Sequence, residues 1–505
     1  MNRPSAVIIG AGLGGLFTGA ILAREGFRVT VIEKNATIGG GLQTFRRFGE
    51  TFDTGMHVVG GLHANGNIRM ICRYLGIEDQ LHIRFVDDDC TDSLFFAEDH
   101  SRYNIAKGKE GFVNALADCF PSERDALHSY VNDIFAMTDQ VNLFNLRPST
   151  GNLSLLTANA DFLMAADSFI AQHVSDERLR SILAYMNPLY GGRAGQTPAY
   201  VHAIISKLYI SGAARFQGGS SHLATLLEQL ITNAGGSVLT ADAVTHIATT
   251  NRHVDYVVTS QGRTFKADYY ISAIHPCTML RLLDADALPR AYRQRLDRIP
   301  NAHSAFLLFV KLKEGMFPYI NHSDYYMTRY ADVWQCSSPS TSWPLGFLFM
   351  TPPETDQGPF SSKAILTAPM PFEYVERWTD TSVGHRGADY DAWKHEHACM
   401  LLEKMEDIYP GFNRCVEQWE AASPLTIRDY YGVKEGSICG FSKDCRNMAL
   451  SQVPVVTKID NLLLTGQNCN LHGFCGVPLT AINTCEAILG RNYVINHINH
   501  SCHRE

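Results

Sequence analysis

The chain has 505 residues, 45% of them hydrophobic and 19% charged, with a formal net charge of −8. That length and apolar content can bury a large core, and two interleaved domains are expected rather than one. The acidic balance and the lack of a Lys/Arg cluster exclude a nucleic-acid surface, and Asp87-Asp88-Asp89 reads as a solvated loop.

In chain order, residues 6–9 read as a buried strand that enters the turn Gly10-Ala11-Gly12-Leu13-Gly14-Gly15. Gly10 allows the tight turn, Gly12 admits a pyrophosphate to the backbone, and Gly15 brings the next helix close to the sheet. Leu16, Ala20 and Ala23 recur at helical spacing, Phe17 and Ile21 widen the stripe, and Gly26 stops the helix after Arg24. Residues 27–32 form the next strand, closed by Glu33 and followed by Lys34. A carboxylate there accepts both ribose hydroxyls and disfavours a 2'-phosphate, which argues against NADP. Three glycines so spaced arise by chance in roughly one chain in four of this length, so the strand, helix and acid carry the assignment of a dinucleotide cradle.

The triplet Gly39-Gly40-Gly41, followed by Leu42, and the run Phe52-Asp53-Thr54-Gly55-Met56-His57 point to flavin rather than nicotinamide. A glycine doublet past the ribose acid would return backbone beside the pyrophosphate, where a side chain would collide, although a plain turn also explains it. Residues 76–215 then read mainly as helices, with apolar faces at Phe162, Ala166, Phe169 and Ile170 and at Ile204, Ile205, Leu208 and Tyr209, and a joint at residues 147–151. Gly218-Gly219-Ser220-Ser221 caps a helix with Leu223, Leu226, Leu227, Leu230 and Ile231 on one face, ended by Gly235-Gly236. Strands are expected at residues 237–240, 244–247, 254–259 and 265–273.

Residues 276–440 open on an apolar strand at 304–311 and carry Phe347, Phe349, Phe372, Tyr374, Trp378, Trp393 and Trp419. Such residues suit the wall of a long apolar ligand site, although an ordinary aromatic core explains them more simply, and the substrate class does not rest on them. Loop signals fall at residues 337–342 and 351–353. Asn461 to Asn468 reads as a short buried strand and turn, and a helix is expected to start near Gly476-Val477-Pro478, with Pro478 in its first turn and Ala481, Ile482 and Cys485 on one face.

The order of strand, glycine turn, Glu33, Gly39-Gly40 and Phe-Asp-Thr-Gly resembles the superfamily of amine oxidases and phytoene desaturases. Its retinol saturase and plant-type carotenoid isomerase branches are the most similar in the run to His57. The resemblance implies an α/β fold with a Rossmann-like FAD-binding domain, built from residues 1–75, 216–275 and 441–495. An interleaved α+β substrate domain would comprise residues 76–215 and 276–440, and residues 496–505 would be a tail. It further implies FAD contacts from Gly10, Ala11, Gly12, Leu13, Gly14, Gly15, Glu33, Lys34, Gly39, Gly40, Gly41, Leu42, Gly55, Met56, His57, Val244, Gly466, Gln467, Gly476 and Val477. Many relatives place Arg, Ser or Cys after the glycine doublet, so Gly41 and Leu42 here argue against an arginine contact to phosphate.

The activity so implied is an FAD-dependent oxidoreductase acting on CH-CH groups of a hydrophobic polyene, foremost a reductase of a retinoid-like lipid. A desaturase or a redox-neutral carotenoid isomerase is the alternative, and a prenyl-protein-binding protein without redox chemistry is a remote one. Flavin would exchange a hydride equivalent with the carbon chain. Saturation also needs a proton, for which His57 is the first candidate, ahead of His472 and Tyr430-Tyr431. With no second GxGxxG, the electron donor or acceptor is external: NAD(P)H, reduced flavin, a quinone or dioxygen.

Thirteen cysteines without a CxxC pair suit a reducing compartment and neither a disulfide framework nor a zinc site. The run His497, His500, Cys502, His503 has no accompanying carboxylate, and no metal is expected. The first apolar run is too short for a signal peptide and no eighteen-residue apolar stretch exists, so a cytoplasmic protein is expected. Its expected partner is a hydrophobic small molecule; a peripheral membrane contact and any oligomeric state stay open.

Overall fold

The computed structural model describes residues 3–149 and 160–502. Thr150 and Gly151 of the expected joint, and His503, lie outside the described residues. Two sheets organise the rest. The first is parallel and five-stranded, in the order Ser237–Leu239, Arg28–Ile32, Ser5–Ile9, Tyr269–Ser272, Leu462–Leu464. Its strands come from the beginning, middle and end of the chain. Parallel strands are buried on both faces, and their side chains divide by the two-residue period. Ala6, Ile8, Val29, Val31, Ile271 and Leu463 pack under the helices Leu13–Arg24, Ser221–Asn233 and Gly473–Leu489. Val7, Ile9, Ile32, Tyr270, Leu462 and Leu464 face the other way, onto the small sheet Val244–Thr250, His253–Thr259, Thr264–Phe265.

The second sheet has seven strands, in the order Val416–Ala422, Ser304–Leu312, Lys363–Met370, Gly346–Met350, Ser323–Met327, Asp92–Phe96, Ser101–Ile105. Its neighbours are antiparallel except Ser323–Met327 with Asp92–Phe96. Residues 76–215 therefore contribute two of its strands, where the sequence reads mainly helices. The short apolar run Leu94-Phe95-Phe96 has no period that separates strand from helix. Alternate residues again face opposite ways. Phe306, Leu308, Val310, Phe347, Phe349, Leu366 and Ala368 join the core beneath the helix Ala388–Ile408, while Ala305, Leu307, Leu348 and Thr367 face the cofactor-side elements.

Several local expectations are corrected. Ser220 occupies the N-cap of Ser221–Asn233, but its hydroxyl makes no cap bond. It donates to Asp53 Oδ1 at 2.6 Å and to the Leu42 carbonyl at 3.2 Å, tying the hairpin Thr44–Arg47/Glu50–Asp53 to the helix start. The last long helix begins at Gly473, which leaves Pro478 inside it rather than in its first turn. Residues 496–502, expected as a tail, belong to the helix Tyr493–Cys502, because Val494, Ile495 and Ile498 are buried in the main core. No helix among the described residues is long and apolar enough to cross a membrane.

Candidate functional site

Three close approaches between backbones shape the cradle. A Cβ on Gly15 would stand 2.0 Å from the Gly10 carbonyl oxygen, so the helix can leave the strand at that angle only without a side chain there. Gly39 donates its N–H to the Ala11 carbonyl at 2.7 Å and bridges Gly12, which brings the glycine triplet back against the first turn. At Gly14 a Cβ would lie 3.0 Å from Gly466 Cα and 3.2 Å from Val477 Cγ1. The two ends of the chain thus meet at the expected cofactor residues. Thr18 and Thr465 hydroxyls, 3.1 Å apart, and the Cys485 thiol donating to the Thr18 carbonyl fix the helices beside that contact.

Gly12 is different: a Cβ built on it meets nothing within 4 Å, and its φ of −76° suits any residue. Nothing in the protein requires glycine here, whereas a pyrophosphate approaching the helix N-terminus does. Glu33, 7% exposed, has its carboxylate held at this crevice by Ala11 N–H at 2.8 Å and Asn35 N–H at 2.9 Å. Its remaining lone pairs are available to ribose hydroxyls. Asp242 N–H bonds the Glu33 carbonyl, setting Val244 just beyond the same strand end. The residues present therefore fit a dinucleotide of the FAD type.

Other expected site residues divide. Gly41, Gly55, Met56, His57 and Gly476 line one continuous cavity. Gln467 and the Asn468 side chain pack against Gly440. Leu42 is fully buried in the core, so its side chain is not available to a ligand. The Lys34 ammonium is turned away, donating to the Asp429 carbonyl at 2.8 Å. Of the tyrosine pair, Tyr430 is 50% exposed and points outward, while Tyr431 lines the cavity and donates to Thr54 Oγ1 at 3.0 Å.

From this glycine-rich end the cavity runs between the helix Ala199–Ile210 and one face of the seven-stranded sheet. Val201, Ile204 and Leu208 form one wall, and Leu307, Tyr325 and Leu348 the other. None of the described residues that line it is Asp, Glu, Lys or Arg. The aromatic residues expected as its walls lie elsewhere. Phe347 and Phe349 occupy the opposite face of their strand from Leu348, and Trp378 and Trp393 pack beyond it with Tyr390. Ile204 and Leu208 were legible as a helical face; the sheet residues were hidden because their strands are apolar on both sides.

His57 lines the cavity, with both ring nitrogens buried and unpartnered. Burial, reinforced by the Arg215 guanidinium, pushes its pKa down to about 4. His472, the N-cap residue of Gly473–Leu489, is pushed to about 4 as well, by burial and then by Lys443. Both shifts favour the neutral ring at neutral pH. A buried polar atom without a partner is costly, so the His57 nitrogens mark a place where a ligand's polar atoms would satisfy them.

The sequence profile of the family described as flavin containing amine oxidoreductase matches residues 13–378. All-trans-retinol 13,14-reductase of Rattus norvegicus is 27% identical, covering 97% of this chain and 86% of that protein. Prolycopene isomerase 1, chloroplastic, of an Oncidium hybrid cultivar is 23% identical over 92% of this chain and 80% of its own. An oxidoreductase structure from Methanosarcina mazei superposes with a TM-score of 0.63 at 17% identity, covering 95% of this chain and 100% of its own.

Gly12→Ala is expected to fold, since an N-cap Ala in place of Gly costs about 1 kcal/mol or less, yet to weaken FAD binding about tenfold or more. Fluorescence titration of the flavin-free variant, beside its thermal melt, measures both; undiminished affinity would remove Gly12 from the phosphate cradle. A second prediction concerns pH. His57, His202, His275, His303 and His472 are each pushed by burial from 6.5 to about 4. The unfolded chain takes up their protons first, so stability is full above about pH 6.5 and is lost as pH falls toward 4. Asp92, pushed up to about 6 by burial, opposes this over the lower part of the range. Melting temperatures should fall steadily from pH 7 to pH 5; a flat profile would contradict neutral burial of these rings.

Proposed function

The chain belongs to the flavin containing amine oxidoreductase family, and from that premise we propose that this FAD-dependent oxidoreductase reduces a carbon–carbon double bond in a long, apolar, retinoid-like polyene. The observation that carries the substrate class is the cavity. It leads away from the cofactor-side glycines between largely apolar walls, and none of the described residues that line it offers a carboxylate to a cationic amine. Moving an ammonium group out of water into such a space would cost several kcal/mol without a counter-charge. An uncharged polyene enters it with a gain of roughly 25 cal/mol for each Å² of apolar surface removed from water. The similarity to all-trans-retinol 13,14-reductase over 97% of the chain supports the same reading.

Bound FAD supplies a site that accepts or delivers a hydride equivalent. The protein's own part is positional. Gly41, Gly55 and Gly476 let backbone line the cofactor-side end of the cavity, and the walls built by Ile204, Leu208, Leu307 and Leu348 would hold an extended chain there and exclude water. His57 and His472, held neutral by burial, offer hydrogen bonds to what enters the cavity, and a ring N–H there or the Tyr431 hydroxyl lining the same cavity supplies the proton that saturation needs beside the hydride equivalent. With a single glycine cradle in the sequence, electrons come from an external donor. The thirteen unpaired cysteines fit a cytoplasmic setting.

A second reading, a carotenoid isomerase, is supported by the similarity to prolycopene isomerase. One experiment separates them. Anaerobic incubation of the FAD-loaded protein with all-trans-retinol and dithionite should give a product heavier by two hydrogens in the mass spectrum. Unchanged mass with altered double-bond geometry would establish isomerisation instead, and loss of two hydrogens with a quinone acceptor would establish desaturation.

A further inference from the structure

Saturating a double bond beside the cofactor needs a proton at the glycine-lined end of the cavity. Tyr431 brings a phenol there. It closes the helix Pro424–Tyr431, where Gly432 takes the left-handed backbone, φ 67°, that turns the chain, so Tyr431 enters the cavity while Tyr430 stays half exposed outside. A Cβ built on Gly55 would stand 2.9 Å from the Tyr431 hydroxyl oxygen and 3.7 Å from Gly41 Cα. The hydroxyl therefore lies against the backbone of Gly55, with Gly41 close by, and both glycines line this end. Gly55 is not in the left-handed region, so it is the phenol that leaves no room for a side chain. The hydroxyl donates to Thr54 Oγ1 at 3.0 Å, and Thr54 gives its own hydrogen to the Gln43 carbonyl, also at 3.0 Å.

The other acidic hydrogens of the cavity are worse placed. His472 gives its one N–H to the Leu189 carbonyl, which leaves Nε2 as a bare acceptor. His57, held neutral, would become an imidazolate, a stronger base than a phenolate. The Cys475 thiol donates to Asn67 Oδ1 at 3.3 Å, the Cys439 thiol to the Leu189 carbonyl at 3.4 Å, and the Tyr209 hydroxyl to the Val58 carbonyl at 3.1 Å. Those oxygens only accept, and the Asn67 amide nitrogen is committed to the Phe144 carbonyl, so none stabilises the anion that proton loss would leave. Tyr325 faces a smaller cavity as well, whose described lining includes none of the cofactor-side glycines. Thr54 differs from all these partners, because a hydroxyl both accepts and donates. We infer that Tyr431 is the catalytic proton donor of the reduction, with Thr54 turning its hydroxyl from Gln43 to the phenolate that forms. FAD, once reduced by the external two-electron donor, gives a hydride equivalent to one carbon of the double bond, and the Tyr431 proton goes to the other. The π bond is thereby replaced by two C–H bonds, and water returns a proton to the phenolate when the product leaves. Burial pushes the phenol up to about 12, and the Thr54 bond offsets part of that shift, so Tyr431 holds its proton at neutral pH until the carbon takes it.

This rests on the polyene-reductase reading, and the test tells the two apart. The FAD-loaded protein is reduced anaerobically with dithionite and mixed rapidly with all-trans-retinol or, separately, with ferricyanide, which takes electrons without needing a proton on carbon. Tyr431→Phe should keep its flavin and its affinity for retinol, read by quenching of tryptophan fluorescence, and should pass electrons to ferricyanide at the unaltered rate. Its flavin should be reoxidised by retinol about a hundredfold more slowly or worse. Thr54→Val, which keeps the phenol, should slow that step about tenfold, yet slow the Tyr431→Phe protein no further. Retinol reduction by Tyr431→Phe at the unaltered rate, loss of its flavin, equal slowing with both acceptors, or a Thr54→Val effect that persists without the phenol would overturn the role of Tyr431 alone. Failure of the unaltered protein to saturate retinol would overturn the polyene-reductase reading and the role of Tyr431 with it.

Discussion

The structure depends on one approach of backbone to backbone, between Gly14 and Gly466. With a Cβ at Gly14 only 3.0 Å from Gly466 Cα, neither helix could sit where it does if a side chain intervened. The contact joins the first turn of the chain to its last strand. It aligns two helix N-termini, at Leu13 and at Gly473, over the same edge of the parallel sheet. Oriented N–H groups then converge there from opposite ends of the sequence, and an anionic, extended cofactor is the natural complement. The glycine triplet at 39–41 closes the cradle from a third direction through the Gly39 to Ala11 bond.

The second sheet turns this cofactor edge into a working site. It is buried on both faces, yet the faces differ in purpose. Phe306, Phe349 and their neighbours pack a conventional core under a long helix, whereas Leu307, Leu348 and Thr367 border empty space. A single strand therefore carries a structural and a ligand-facing set one residue out of phase. The hairpin carrying Asp53 couples the two sheets, because the same Ser220 that begins a cofactor-domain helix is held by that carboxylate. Burial raises the Asp53 pKa, and the two Ser220 bonds partly offset that effect.

The cofactor half was legible in the sequence because its constraints are local and chemical. Gly10, Gly12, Gly15 and Glu33 follow a fixed spacing, and the parallel strands at residues 5–9, 28–32 and 462–464 are short apolar runs bounded by glycine or an acid. The cavity was less so. Strands with both faces buried carry no alternation, so the sequence could not tell Leu307 from Phe306, and the conspicuous tryptophans drew attention to the wrong side of the sheet. The helix at Tyr493–Cys502 escaped notice because polar His497, Asn499 and His500 mask a stripe of only three apolar residues. His57 shows the remaining gap: its place was legible, but its charge state follows from burial and from Arg215, over 150 positions away, which no local pattern encodes.

The central claim is that the two chain ends build one site spanning a whole dinucleotide, from the ribose acid Glu33 to the cavity edge at Gly476. Titration of flavin-free protein with FAD and, separately, with FMN tests it most directly. One FAD per chain should bind, and FMN, lacking the adenosine half that Glu33 and the Gly10–Gly15 turn would hold, should bind at least about a hundredfold more weakly. Equal affinity for the two flavins, or no binding of either, would contradict the account.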